Sequence, residues 1–119
     1  MGFTELELSG MDYEILFKKD DKIVVITTNG CIEDKFFVDE DAQEALFDFI
    51  YNQETKSEWN IIPEMKKVYP DCSSFTDMAE LGLYVYDMHN NVETLVVEPT
   101  RPLLVSDLPE ELQNLLTEF

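Results

Sequence analysis

The pair Asn29-Gly30 limits the possible folds of this chain more than any other feature, because it separates two apolar stretches. Asn-Gly favours a type I′ turn, in which both central residues need a positive φ, and this turn joins neighbouring antiparallel strands. The preceding residues 22–28 (KIVVITT) are rich in β-branched side chains, which is typical of a central strand. Residues 31–38 (CIEDKFFV) are predicted to be its partner strand.

Two earlier stretches extend this β pattern. Residues 3–9 (FTELELS) alternate leucine with glutamate, and residues 12–19 (DYEILFKK) place tyrosine, isoleucine and phenylalanine on one face. Alternation with a period of two predicts half-buried strands. Residues 19–21 (KDD) predict the turn between the second and third strands. We therefore predict a four-stranded antiparallel meander over residues 3–38.

Residues 38–49 (VDEDAQEALFDF) begin with acids and continue with a helical pattern. Apolar residues recur at i, i+3, i+4, i+7 and i+8 from Ala42, which predicts a helix with one apolar face. Asp41 is predicted as the N-cap, with Glu44 at the third helical position. Carboxylates also stabilise the positive end of a helix dipole, so helix initiation explains most of the acidic run at 39–41.

The remaining chain contains a second hairpin signal and a terminal helix signal. Asn90-Asn91 separates the predicted strands 81–89 and 92–99, and residues 106–119 carry a leucine stripe. Between residues 53 and 80 we predict mainly loop, with one short helix at 62–69 and one further helical turn. These elements predict a single α+β domain over residues 1–119. It comprises the N-terminal four-stranded antiparallel meander, one amphipathic helix, the second β-hairpin and a C-terminal helix packed on one face of the sheet. The two β regions form either one mixed sheet or two packed sheets.

Acidic residues dominate the charge, with 26 Asp and Glu against 8 Lys and Arg and a formal net charge of -18. A chain with this charge repels phosphate backbones and anionic lipids, so we expect neither direct nucleic-acid binding nor membrane binding. A basic protein is the expected partner, for example a nucleic-acid-binding enzyme. Solubility alone is an alternative explanation, since surface carboxylates keep proteins in solution.

Motifs for catalysis, cofactors and metals are weak in this sequence. There is no Gly-rich phosphate loop and no acidic loop with EF-hand spacing, so no cofactor and no metal ligand is predicted. Cys31 and His89 both adjoin predicted turns, and they are the one candidate pair for nucleophilic catalysis. We predict no catalytic residue. Two cysteines at unrelated positions and the lack of an 18-residue apolar run or a signal peptide predict a cytoplasmic protein, in its own cell or in a host.

Several acids are not explained by helix initiation, and one tryptophan lies in a polar stretch, KSEWNIIPE. Tryptophan is favoured at the centres of protein interfaces. The residues predicted to bind a partner are Glu5, Glu7, Glu33, Asp41, Glu44, Asp48 and Trp59.

Three functional hypotheses follow. The first is a non-enzymatic acidic interaction protein, an inhibitor that mimics the charge of nucleic acid and occupies the basic groove of a nucleic-acid-binding protein or nuclease. The second is a cytosolic adaptor or immunity-type protein that binds through an apolar patch near Trp59 and is acidic only for solubility. The third is an enzyme that uses carboxylates or the Cys31/His89 pair.

Overall fold

The computed structural model describes residues 2–54 and 56–119. Its elements in chain order are α1 (Glu5–Gly10), β1 (Glu14–Lys19), β2 (Lys22–Thr27), a 3₁₀ turn (Asp34–Phe36), α2 (Glu40–Tyr51), β3 (Trp59–Ile61), α3 (Pro63–Val68), α4 (Ser73–Glu80), β4 (Tyr84–His89), β5 (Val92–Pro99), a second 3₁₀ turn (Val105–Asp107) and α5 (Glu110–Gln113). They form an α+β fold around one five-stranded sheet.

The sheet is mixed and has the strand order β1-β2-β4-β5-β3. β2 and β4 are parallel, whereas the other neighbouring pairs are antiparallel. The two hairpins, β1–β2 and β4–β5, lie where their turns predict them. Asp20, Asn90 and Asn91 have φ of 56°, 52° and 61°, in the left-handed region that Asp and Asn tolerate. Both hairpin predictions are confirmed.

Apolar side chains pack on both faces of this sheet. On one face, a main core joins Leu16, Val25 and Val85 of the strands to Leu46 of α2 and Met78 of α4. Because α2 and α4 lie on this face, it is the more heavily covered of the two.

On the other face, a second core is built around Ile15 and Phe17 of β1. Leu8 of α1 and Phe36 of the first 3₁₀ turn are buried in it, and Phe119 packs against it. The C-terminal helix packs on the same main-core face as α2, as predicted. The other face carries α1, in a stretch predicted to be a strand.

The predicted first strand, residues 3–9, is largely the helix α1. The Thr4 hydroxyl accepts a hydrogen bond from the Glu7 N–H (3.2 Å), and the Glu7 carboxylate accepts one from the Thr4 N–H (3.1 Å). This capping box favours a helix start. Leu8 is buried but Leu6 is 82% exposed, so the two leucines do not share a buried strand face. Four alternating residues are too few to distinguish strand from helix.

The predicted fourth strand, residues 31–38, is replaced by irregular chain and the first 3₁₀ turn. The Asn29-Gly30 turn does form, with φ of 51° and 76° and a 2.9 Å hydrogen bond from the Cys31 N–H to the Thr28 carbonyl. However, β4 occupies the place beside β2. The four-stranded meander is therefore wrong, because a turn motif determines a chain reversal but not which strand pairs next.

The outer edge of β1 is closed by α2 and by the C-terminus. Gln43 of α2 is buried; its side-chain carbonyl accepts from the Leu16 N–H (2.8 Å) and its amide donates to the Leu16 carbonyl (3.0 Å). Lys18 donates its N–H to the Thr117 carbonyl (2.9 Å), and the Phe119 N–H donates to the Lys18 carbonyl (2.8 Å). These contacts satisfy backbone groups that an edge strand would otherwise expose to other chains.

Two helix predictions change in extent, and a third is confirmed. α2 begins after Asp39, whose carboxylate accepts from the backbone N–H groups of Asp41 (2.9 Å) and Ala42 (3.3 Å), so the N-cap predicted at Asp41 is two residues too late. The predicted helix 62–69 is confirmed as α3. The predicted helix 106–119 is reduced to the four-residue α5, because the residues after it extend along β1.

Candidate functional site

The acids predicted to bind a partner do not form one continuous surface. Glu5 and Glu7 lie on α1, which packs on the second core, and Glu7 is engaged in the capping box. Glu33 directly precedes the first 3₁₀ turn, whose Phe36 is buried in that same core. These three residues are therefore separated by the sheet from the acids of α2, which packs on the main core.

The three predicted acids of α2 do form a row, which we call the α2 row: Asp41, Glu44 and Asp48. All three residues are exposed, whereas the opposite side of the helix buries Gln43, Leu46 and Ile50. Their spacing of i, i+3 and i+7 places them on one side of a helix.

Few basic residues lie close enough to neutralise the carboxylates. Among residues 2–54 and 56–119, the ion pairs are Lys18–Glu118, at 3.8 Å, and Lys35–Glu93. Neither pair includes a member of the α2 row, so none of its three carboxylates has an ion-pair partner among the residues that the structure describes.

A cleft of about 350 Å³ opens on the main-core face, near the carboxyl ends of the parallel strands β2 and β4. In α/β sheets this edge is where ligands commonly bind. The cleft is lined by the carboxylates of Asp12, Glu14 and Asp87. The aromatic rings of Tyr69 and Phe75 also line it, as does Thr27 at the end of β2.

Asp87 is the most buried carboxylate of this cleft, with 4% of its surface exposed. It accepts a hydrogen bond from the hydroxyl of Tyr69, and the Tyr69 ring packs edge-on against Phe75 (5.2 Å) and His89 (6.0 Å). Burial raises the pKa of Asp87, the hydrogen bond from Tyr69 lowers it, and the charge of Asp12 raises it further, with a net upward shift. Burial and the bond to Asp87 raise the pKa of Tyr69 in turn.

A carboxyl group with a raised pKa in a cleft is typical of functional sites, although structural networks produce it too. Asp87 is not among the site residues predicted from the sequence. The signal was present, because alternation in YVYDMH places Asp87 on the same buried face as Val85. A charged residue at an inward-facing strand position is unusual.

We expect Asp87→Asn to raise the free energy of unfolding at pH 7 by about 1 kcal/mol, since asparagine keeps an acceptor for the Tyr69 hydroxyl without a buried charge. With a raised native pKa, the folded protein binds more protons than the unfolded chain above the unfolded pKa of about 3.9. The stability of the unsubstituted protein should therefore fall as the pH rises from about 4 through the native pKa of Asp87.

Urea unfolding of both proteins between about pH 4 and pH 7 measures this difference. Asp87→Asn should show a smaller decline over that range. Tyr69→Phe is the matched variant, because it removes the hydroxyl and leaves the buried carboxylate without its donor, so it should lower stability most at neutral pH. A destabilised Asp87→Asn at pH 7 would contradict the expectation.

The structure does not bring Cys31 and His89 together. The Cys31 thiol donates to the Asn91 side-chain carbonyl (3.1 Å) and packs against the second core. The His89 ring contacts Tyr69 and the Asn90 amide instead. Burial, followed by the charges of nearby carboxylates, raises the pKa of Cys31, and a raised pKa reduces the nucleophilic thiolate.

Trp59 begins the edge strand β3 and is 37% exposed, so its ring is available at the surface. It is distant in the sheet from β1, since three strands separate the two edges. Its surroundings therefore form a surface of their own.

Within the described ranges, no three His, Cys, Asp or Glu side chains gather closely enough to hold a metal ion. Over the same residues, no helix is both long and apolar enough to cross a membrane. No protein-family model matches this chain, and comparisons with curated proteins and with solved structures found no significant match.

Proposed function

We propose that this chain is a non-enzymatic, strongly acidic interaction protein that inhibits a nucleic-acid-binding protein or nuclease by occupying its basic groove. The observation that carries the proposal is the α2 row, three exposed carboxylates with no ion-pair partner in the part of the chain described. Like charges at this spacing lower helix stability by a few tenths of a kcal/mol per pair. A row that costs stability and is left uncompensated is consistent with use by a partner.

The spacing of the α2 row approaches that of a nucleic-acid strand. With a rise of 1.5 Å per residue, the row spans roughly 10 Å and presents on the order of one charge per 5 Å. One strand of DNA presents one charge per about 3.4 Å of helix axis. The row can therefore meet two or three lysine or arginine side chains that otherwise contact phosphates.

The row is also held rigidly. Gln43, Leu46 and Ile50 fix the opposite side of α2 to β1 and the main core. Groups that are already ordered lose less conformational entropy on binding. The net charge of -18 would in addition attract a basic partner over a distance and speed association at low salt.

The test is capture from a cell lysate, at low and high salt, with and without an added DNA duplex. We expect basic nucleic-acid-binding proteins to be retained at low salt and displaced by the duplex, since both compete for one groove. The triple variant Asp41→Asn, Glu44→Gln, Asp48→Asn should bind the captured protein roughly tenfold more weakly, because each charge contributes up to about 1 kcal/mol.

A matched control is Asp77→Asn, Glu110→Gln, Glu111→Gln, which removes the same charge from exposed acids outside α2. It should retain most of the binding. Equal loss in both triple variants would show that only net charge matters and would contradict the assignment to α2. Partners that the duplex does not displace would contradict nucleic-acid mimicry.

The adaptor or immunity-type hypothesis is favoured by one observation, the exposure of Trp59 on an edge strand. Trp59→Ala discriminates it in the same assay. Capture that survives neutralisation of the α2 row and high salt, but is lost in Trp59→Ala, would favour that second function.

A further inference from the structure

The outer edge of β3 is open, unlike that of β1. The backbone groups of Glu58 and Ile62 point towards β5. The Glu58 carbonyl accepts a hydrogen bond from the Thr100 N–H (2.8 Å), and the Ile62 N–H donates one to the Val96 carbonyl (2.9 Å). Because directions alternate along a strand, the backbone groups of Trp59 and Ile61 point away from β5. Within residues 2–54 and 56–119, these four groups make no hydrogen bond.

The open edges of two copies can pair with each other. Trp59 and Ile61 lie on either side of Asn60. If the β3 strands of two copies pair antiparallel about a two-fold axis at Asn60, each Trp59 therefore lies opposite the Ile61 of the other copy. Opposite residues of a hydrogen-bonded antiparallel pair exchange two bonds. Two such pairs would give four hydrogen bonds and satisfy every free group on both edges.

The side chains suit the same arrangement. Ile61 packs against the main core, so Trp59, two residues before it, lies on that face of the sheet. Across the axis, each tryptophan would meet an isoleucine of the other copy, and aromatic and β-branched residues are favourable cross-strand pairs.

The local charge permits two copies to approach here. Residues 54–68 contain three acids, Glu54, Glu58 and Glu64, against three lysines, Lys56, Lys66 and Lys67. Their sum is zero, in a chain whose net charge is -18. The chain segment that forms the open edge therefore adds no net charge of its own to the repulsion between two copies.

We propose that β3 is a self-association site, at which two copies pair edge to edge into one continuous ten-stranded sheet. The edge is three residues long, so the dimer is weak and forms at high protein concentration. The site does not depend on the proposed function and uses a different surface.

Disulfide trapping tests the register. In the proposed pairing, Asn60 faces Asn60 of the second copy as a non-hydrogen-bonded pair, with Cα atoms about 4.5 Å apart. That separation lies within the range for a disulfide, about 4.4–6.8 Å. Asn60→Cys should therefore form a covalent dimer on mild oxidation, and mass spectrometry should identify two copies of the same peptide joined through the substituted position.

Glu58→Cys is the control, because its two copies would be four residues apart along the strand, about 13 Å. It and the unsubstituted protein, which retains Cys31 and Cys72, should give no such dimer. Failure of Asn60→Cys to cross-link, or equal cross-linking at position 58, would overturn the proposal.

Sedimentation of the unoxidised protein at increasing concentration gives a second test. Asn60→Lys should abolish dimers, since two lysines would face each other at the axis, while Asn114→Lys, at an exposed site on α5's C-terminal side, should not. Added salt should strengthen the dimer by screening the repulsion of two acidic chains, whereas it should weaken capture of a basic partner. A protein that stays monomeric at all protein and salt concentrations would overturn the proposed self-association.

Discussion

Gly82→Ala is expected to lower the free energy of unfolding by about 3 kcal/mol or more, because it combines backbone strain with overpacking. Gly82 is buried between α4 and β4 with φ of +89°, a conformation that alanine adopts only at a cost. A Cβ there would lie 2.5 Å from the backbone nitrogen of Leu103 and 2.8 Å from its Cβ.

The neighbouring backbone has little freedom to move away. The Leu103 N–H donates to the Gly82 carbonyl (3.0 Å), and the Gly82 N–H donates to the Ala79 carbonyl (2.9 Å) where α4 ends. Relief of the clash would therefore break the contact between the end of α4 and the segment after β5. Glycine at this position is typical of helix termination.

Chemical denaturation of Gly82→Ala and of the control Gly10→Ala measures the effect. Nothing lies within 4 Å of a Cβ built on Gly10, the last residue of α1, so alanine there should change stability by less than about 1 kcal/mol. Similar stabilities for the two variants would show that the close approach of Leu103 does not constrain the fold.

Gln43→Ala is expected to cost about 3 kcal/mol, the second largest effect, since each unsatisfied buried group costs about 1–3 kcal/mol. The side chain of Gln43 satisfies both backbone groups of Leu16, and its loss would leave a buried N–H and a buried carbonyl without partners. The loss would also open the edge of β1 and remove the hydrogen bonds between α2 and that strand, leaving Leu46 and Ile50 to hold the helix.

Gln43→Glu refines this test, because a carboxylate accepts from the Leu16 N–H but cannot donate to the Leu16 carbonyl. Protonation restores the donor, so this variant should recover stability as the pH falls. Gln53→Ala is the control, since Gln53 is half-buried and makes one 3.4 Å bond to the end of α2. Equal losses from Gln43→Ala and Gln53→Ala would contradict the role of Gln43.

Predictions from the sequence were correct where short-range interactions decide the conformation. The turns at 20–21 and 90–91 determine hairpins through residues that tolerate positive φ, and the spacing of apolar residues determines α2. The same helical spacing predicts that Asp41, Glu44 and Asp48 share one side of α2, and all three are exposed there. The strand predicted at residues 3–9 is wrong because four alternating residues suit a strand and a helix equally, and the capping box at the start of α1 favours the helix.

The cleft around Asp87 could not be assembled from sequence, because its walls come from segments far apart in the chain. Asp12, Tyr69 and Asp87 meet there only after β2 and β4 pair in parallel. The open edge of β3 could not be predicted from the sequence either, since residues 53–61 lack a strong strand pattern. Trp59 is in a strand only because its segment pairs with β5.

By itself, the sequence determined the local conformations and the sign and excess of the charge, since both depend on residues close together in the chain or on composition. The tertiary structure alone decided that β4 lies beside β2, that Gln43 and the C-terminus close one edge while β3 remains open among the described residues, and that Asp87 meets Asp12 and Tyr69 in one cleft. The physical reason is competition. Several segments could pair with each strand. The arrangement that forms is the one that buries the most apolar surface while satisfying the backbone hydrogen bonds, and this depends on contacts across the whole chain.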